Sequence, residues 1–124
     1  MQSFAILPKI CEVDRLLQAR PEVRGRVYEV HPEVSFAAWA GHAMRHAKKR
    51  SAGKRERQEL IAREFGDDVF ARLRRGLGGG VGADDLADGF AALWTAALIH
   101  AGRAVRLPKQ PAVDATGLPM HIWY

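Results

Sequence analysis

Asp84-Asp85-Leu86-Ala87-Asp88-Gly89-Phe90-Ala91-Ala92-Leu93-Trp94-Thr95-Ala96-Ala97-Leu98-Ile99-His100-Ala101-Gly102 is the stretch from which the fold is read. Its spacing predicts a helix from Asp85 to about Ala101, with Asp84 as a capping acid and Gly102 as the stop. Leu86, Phe90, Leu93 and Ala97 form one apolar stripe, and Ala87, Ala91, Trp94 and Leu98 form another. A helix apolar nearly all round belongs between a sheet and neighbouring helices.

Working outward, the sheet should come from Arg26-Val27-Tyr28-Glu29-Val30-His31. β-Branched and aromatic residues favour a strand there, and a period of two sets Val27, Glu29 and His31 on one face. Pro32 ends the run. Weaker strand candidates lie at Ala104–Leu107 and Met120–Trp123, on either side of a turn-rich segment holding Pro108, Pro111 and Gly117. The other segments read as helices. Ile10, Val13, Leu16 and Leu17 recur at helical spacing between Pro8 and Pro21, and Glu33 to Ala40 is a short helix. Lys54 to about Phe65 turns Leu60, Ile61 and Phe65 inward, and Val69, Phe70, Leu73 and Leu77 suggest one more helix. The glycines between Gly76 and Gly82 form a flexible connection. The pattern is α/β, helix-rich with a short partial sheet. A buried strand needs paired neighbours for its backbone groups, so such a sheet looks incomplete.

A chain of 124 residues, 48% hydrophobic and 27% charged, is one domain in an ordinary globular balance, taken here as residues 1–124. No apolar run approaches a membrane span, and the first residues do not read as a signal peptide, so a cytoplasmic location and no membrane partner are expected. Cys11 is the only cysteine, which excludes an internal disulfide and a multi-thiolate metal site. It reads as a packed thiol. The net charge of +5 favours polyanionic partners, nucleic acid among them.

Three groups of residues can carry chemistry. In Tyr28-Glu29-Val30-His31-Pro32-Glu33, two carboxylates and an imidazole gather at a strand end, where open α/β sheets place their sites. An edge-strand charge at Glu29 and a dipole-favoured acid at Glu33 explain them equally well. Asp84, Asp85 and Asp88 open the long helix, and Asp88 lies past the cap in an apolar setting that demands a cation. A divalent metal would serve, with Glu29, Asp85 and Asp88 as hard oxygen ligands, and so would a salt bridge to an arginine. Third, Arg45, Lys48, Lys49, Arg50, Lys54, Arg55 and Arg57 form a basic run relieved only by Glu56. It is either a phosphate-binding patch or a solvated surface. Phe36 and Trp39 beside it could stack on bases, but their spacing suits the core. The glycine-rich segment lacks the Gly-Lys-Ser/Thr ending of a phosphate loop, and the histidines match no zinc spacing.

Several stretches together resemble the family called domain of unknown function 429, whose members are predicted RNase H-like nucleases. They are Phe4-Ala5-Ile6-Leu7-Pro8-Lys9-Ile10, Val27-Tyr28-Glu29-Val30-His31-Pro32-Glu33-Val34-Ser35-Phe36, and Lys48-Lys49 with Gly53 and Arg57. Ala83-Asp84-Asp85-Leu86-Ala87-Asp88, Trp94-Thr95-Ala96 and Asp114-Ala115-Thr116-Gly117-Leu118-Pro119-Met120-His121-Ile122 complete the set. Tyr-Glu-Val-His-Pro-Glu is its most specific part. The resemblance covers the C-terminal half of the family's domain and implies an incomplete RNase H-like fold, because the family's opening strands and their metal-anchoring aspartate have no counterpart before Met1. It implies metal-dependent phosphodiester hydrolysis of nucleic acid with Mg²⁺ or Mn²⁺. Glu29, Asp85 and Asp88 would be the catalytic residues and metal ligands, and Lys48, Lys49 and Arg57 the substrate-binding residues. The chain alone is then inactive or dependent on a second copy or a partner chain that supplies strands. The alternative is a non-catalytic module that binds nucleic acid or another polyanion.

Overall fold

The computed structural model describes residues 2–124, with side chains from Ile6 onward. Five helices run in chain order: α1 (Gln2–Ala19), α2 (Pro32–Ala40), α3 (Ser51–Phe65), α4 (Val69–Gly76) and α5 (Ala83–His100). Two short strands, β1 (Arg106–Leu107) and β2 (Ile122–Trp123), close the chain.

The core is helical. Phe36 from α2, Leu60 and Ile61 from α3, and Ala87, Phe90 and Ala91 from α5 are its buried apolar residues, with Trp39, Phe65, Val69 and Phe70 packed against them. Trp39 stacks between Phe36 and Trp94, at 5.8 and 5.3 Å between ring centroids, and meets Phe65 edge-on at 5.8 Å. Both Phe36 and Trp39 are thus core residues, and the aromatic offsets add to the area they bury. Ser35 and Thr95 are fully buried hydroxyls that satisfy each other, with Thr95 Oγ1 donating to Ser35 Oγ at 2.8 Å. This bond ties the middle of α2 to the middle of α5.

Local chemistry sets the helix ends. Pro32 begins α2, and Gly41 ends it with φ of 74°, a left-handed conformation that glycine adopts without a Cβ penalty. At the start of α5 the capping residue is Gly82 and not Asp84. The Gly82 N–H donates to Asp85 Oδ2 at 3.0 Å, so the acid three residues on reaches back to the chain entering the helix. Asp84 and Asp85 also complement the positive end of the helix dipole.

The sheet differs from the sequence reading. β1 and β2 pair antiparallel, Arg106 with Trp123 and Leu107 with Ile122. The expected strand at 26–31 contributes only a parallel bridge from Val30 to Trp123, with the Trp123 N–H donating to the Glu29 carbonyl at 2.8 Å. Residues Pro21–Arg26 instead form a 3₁₀ turn, which takes up the first residue of that strand. Among the described residues, the N–H groups of Val27, Tyr28, Glu29 and Val30 have no backbone partner. A strand with one neighbour over one residue has no ladder to hold it extended.

Two apolar surfaces are left open. On α5, Leu93 is exposed together with Ala96 and Ala97, so the helix is buried on one side and bare on the other. On α1, Ile6, Leu7, Ile10, Val13 and Leu16 are all exposed, and the helix packs chiefly on the 3₁₀ turn that follows it. Cys11 is exposed on the same helix, which corrects its reading as a packed thiol. The helix also begins well before Pro8, which lies inside it.

Candidate nucleic-acid interface

The charged residues singled out in the sequence converge where the α2–α3 connection crosses the start of α5. Lys48 donates from Nζ to both carboxylate oxygens of Asp88, at 3.0 and 2.8 Å, and each side chain is 32% exposed. One turn earlier, Lys54 approaches Asp84 at 3.6 Å. The apolar-helix argument for Asp88 therefore identified its need for a cation, and a lysine forty positions away meets it. With Arg57, Gln58, Ala83 and Ala87, these side chains line a cleft of about 10 Å³, room for no more than a water molecule.

Arg57 lies beneath this cleft and is 3% exposed. Its Nε donates to Glu33 Oε1 at 3.0 Å and its Nη2 to Glu33 Oε2, a two-pronged pair. Nη1 donates to the Gly53 carbonyl at 2.8 Å and to the His46 carbonyl at 3.3 Å. The guanidinium lies 5.6 Å from the Phe36 ring centroid. A planar fork suits such a site where a lysine would not. Gly53 makes the arrangement possible, because a Cβ there would sit 2.2 Å from the Ala47 carbonyl oxygen. Arg57 and Gly53 thus fasten the 46–47 backbone onto α3.

Glu56 secures the same connection from the other side. Its carboxylate accepts from the Arg45 N–H at 2.9 Å and the His46 N–H at 3.2 Å. These bonds, that of Arg45 foremost, hold its carboxyl below the usual glutamate range. Sequence reasoning passed over Glu56 as mere relief within a basic run. The signal was there, since a lone acid among seven cations is well placed to hold a structural contact.

The proposed metal ligands are not brought together. Asp88 is held by Lys48, Asp85 by the N-terminus of α5, and Glu29 lies exposed on the 27–30 segment with its backbone carbonyl bonded to Trp123. Among the described residues no group of three or more His, Cys, Asp or Glu is arranged to hold a metal ion. The residues as they stand do not fit a divalent cation. Of the three proposed phosphate-binding residues, Lys48 and Arg57 are neutralised by carboxylates, and Lys49 is exposed without one among the described residues. Arg45, Arg50 and Arg55 share that condition. All four lie on the α2–α3 connection or the first turns of α3, a helix with no acid in its first turn.

Helical core, partial sheet and unpaired cations define a small basic α/β domain with a polar cleft closed by its own ion pairs. The chain belongs to the family described as protein of unknown function (DUF429), whose sequence model matches residues 1–113. No curated protein and no solved structure matches it. Among the described residues, no helix is long and apolar enough to cross a membrane.

Proposed function

We propose that this chain is the C-terminal half of an RNase H-like nuclease domain acting on nucleic acid, and that by itself it performs the binding part of that function. The observation that carries the reading is the set of four exposed cations, Arg45, Lys49, Arg50 and Arg55, without carboxylate partners among the described residues. Of the acids nearby, Glu33 is engaged by Arg57, Glu56 by backbone N–H groups, Asp84 by Lys54 and Asp88 by Lys48, while Glu59, one turn from Arg55 on α3, makes no ion pair among the described residues. The positive charge that remains is free to neutralise phosphates. It lies beside the α3 N-terminus, whose dipole adds to the attraction for an anion.

Metal-dependent hydrolysis is the second part of the proposal and needs more than these residues. The Mg²⁺ or Mn²⁺ that such hydrolysis uses has no ligand set among the described residues. Such ions need clustered carboxylates, and Asp88, which lines the cleft and is 32% exposed, is the one this chain would contribute. Further acidic groups would come from strands paired with the open 27–30 edge, on a second copy or another chain. The unpaired N–H groups of that segment support this arrangement.

Binding of single-stranded DNA and RNA oligonucleotides, followed by fluorescence anisotropy over a range of salt concentrations, tests the reading. Affinity should fall steeply with salt. Replacing Lys49, Arg50 and Arg55 together by alanine should reduce the slope of log K against log salt by about 2, at roughly 0.7 per phosphate contact on a single strand. An affinity indifferent to salt, or a triple variant that binds like the parent, would overturn it. Cleavage in Mn²⁺ by the isolated chain, lost on Asp88→Asn, would instead show that the hydrolytic centre is complete.

A further inference from the structure

We infer that Glu56 is a positioning residue for phosphate binding, whose carboxylate holds the α2–α3 connection in a fixed course and so presets Arg45, Lys49 and Arg50 beside Arg55. The inference rests on the nucleic-acid reading above, and it gives an acid a part in holding a polyanion.

The connection is gripped at one residue from both sides. The His46 N–H donates to Glu56 Oε2 at 3.2 Å, and the His46 carbonyl accepts from Arg57 Nη1 at 3.3 Å. Two consecutive residues of α3 therefore hold both backbone groups of His46. The Arg45 N–H adds a third bond, to Glu56 Oε1 at 2.9 Å. Farther on, the Arg50 N–H donates to the Ala47 carbonyl and the Lys54 N–H to the Arg50 carbonyl, each at 2.9 Å, which carries the fixed course into the first turn of α3. Arg57 is buried and bonded to Glu33 of α2, so the grip is anchored in the packed helices.

Glu56 differs from the other acids around it in what its carboxylate meets. Glu33, Asp84 and Asp88 each neutralise a cationic side chain. Glu56, in the midst of seven cations, bonds to backbone N–H groups and forms no ion pair among the described residues. It fixes the backbone that carries the cations and leaves the cations themselves unpaired. Ordering a segment before its ligand arrives removes part of the cost of binding. Charge and position then predict opposite signs. Deleting an acid from a basic surface strengthens its attraction for a polyanion, whereas deleting a positioning acceptor weakens it.

Anisotropy titrations with a single-stranded oligonucleotide, at one salt concentration, should compare Glu56→Ala with Glu59→Ala, which remove the same charge from the same helix. Glu59 is exposed and makes no ion pair among the described residues, so Glu59→Ala should bind more tightly than the parent. Glu56→Ala should bind about two- to tenfold more weakly, as ordering of the connection shifts onto the binding step. Glu56→Gln has the charge of Glu56→Ala and one side-chain oxygen to accept an N–H, so it should recover part of the loss. Circular dichroism checks that each variant is folded, and if Glu56→Ala is not, Glu56→Gln against the parent decides. A folded Glu56 variant that binds as tightly as the parent, or more tightly, overturns the inference, and so does Glu56→Gln binding no better than a folded Glu56→Ala. A parent chain that binds no oligonucleotide overturns the nucleic-acid reading and this inference with it.

Discussion

Helices α1 and α5 have the same length of 18 residues, and each carries enough apolar side chains to be buried, yet only α5 finds a core within the chain. On α5, Ala87, Phe90, Ala91 and Thr95 are buried against α2 and α3. On α1, five large apolar residues stand exposed. The difference lies in what surrounds each helix. The α2–α3 connection is fastened by Arg57, Gly53 and Glu56, which fixes the surface on which α5 rests. The 27–30 segment, which follows the turn on which α1 packs, has one bridge and no ladder among the described residues. Apolar content makes a helix eligible for burial. A neighbour fixed by polar bonds decides whether it is buried.

The sharpest way to break this comparison is to empty the fixed side. Phe36→Ala should cost about 3–5 kcal/mol, because Phe36 is fully buried between α3 and α5. Denaturant titration should show the midpoint fall, or the folded baseline vanish. Glu33→Ala comes next. Breaking a fully buried pair costs about 3–5 kcal/mol. Glu33 is 37% exposed, so solvent screening reduces the expected cost to about 2 kcal/mol. The loss should appear in the same titration, with faster amide exchange around His46, whose carbonyl Arg57 holds.

The Glu56 contacts predict a pH effect of smaller size. Because the folded carboxyl titrates below its ordinary value of 4.5, its contribution is fully present above that value and is lost as pH falls through the depressed folded value. The Arg45 and His46 amide resonances should shift together in that acidic window, and Glu56→Gln should abolish the shift. Smallest of all is the effect on the open side. At concentrations low enough to keep chains apart, Ile10→Ala should change stability by less than about 0.5 kcal/mol. A loss as large as that of Phe36→Ala would mean that α1 folds into its own chain's core.

The helical half of this fold was legible in the sequence. Phe36, Leu60, Ile61 and Phe90 lie at spacings that mark inward faces, and the tail candidates contain both short strands, though each is two residues long. The 26–31 strand was not legible as it stands, because β-branched residues favour extended backbone only where a neighbour accepts their hydrogen bonds. Val27 and Tyr28 have no such neighbour among the described residues. At the site, the apolar surroundings of Asp88 revealed that it needed a cation, but pairing with Lys48 is set by how α2 leads into α3. The same limit applies to Arg57, which in a list of seven cations carries no mark of burial. Its link to Glu33 joins residues 24 positions apart and exists only after α2 and α3 pack.

The central claim is that Glu33, Glu56, Asp84, Asp85 and Asp88 are already satisfied by this chain's own cations and backbone, which leaves Arg45, Lys49, Arg50 and Arg55 to bind phosphate. Calorimetric titration of the full chain with Mn²⁺, alongside Asp88→Asn, tests it most directly. The account predicts no saturable binding in either protein. Saturable binding by the parent chain that disappears in Asp88→Asn would contradict it, because Asp88 would then be a metal ligand in preference to a partner of Lys48.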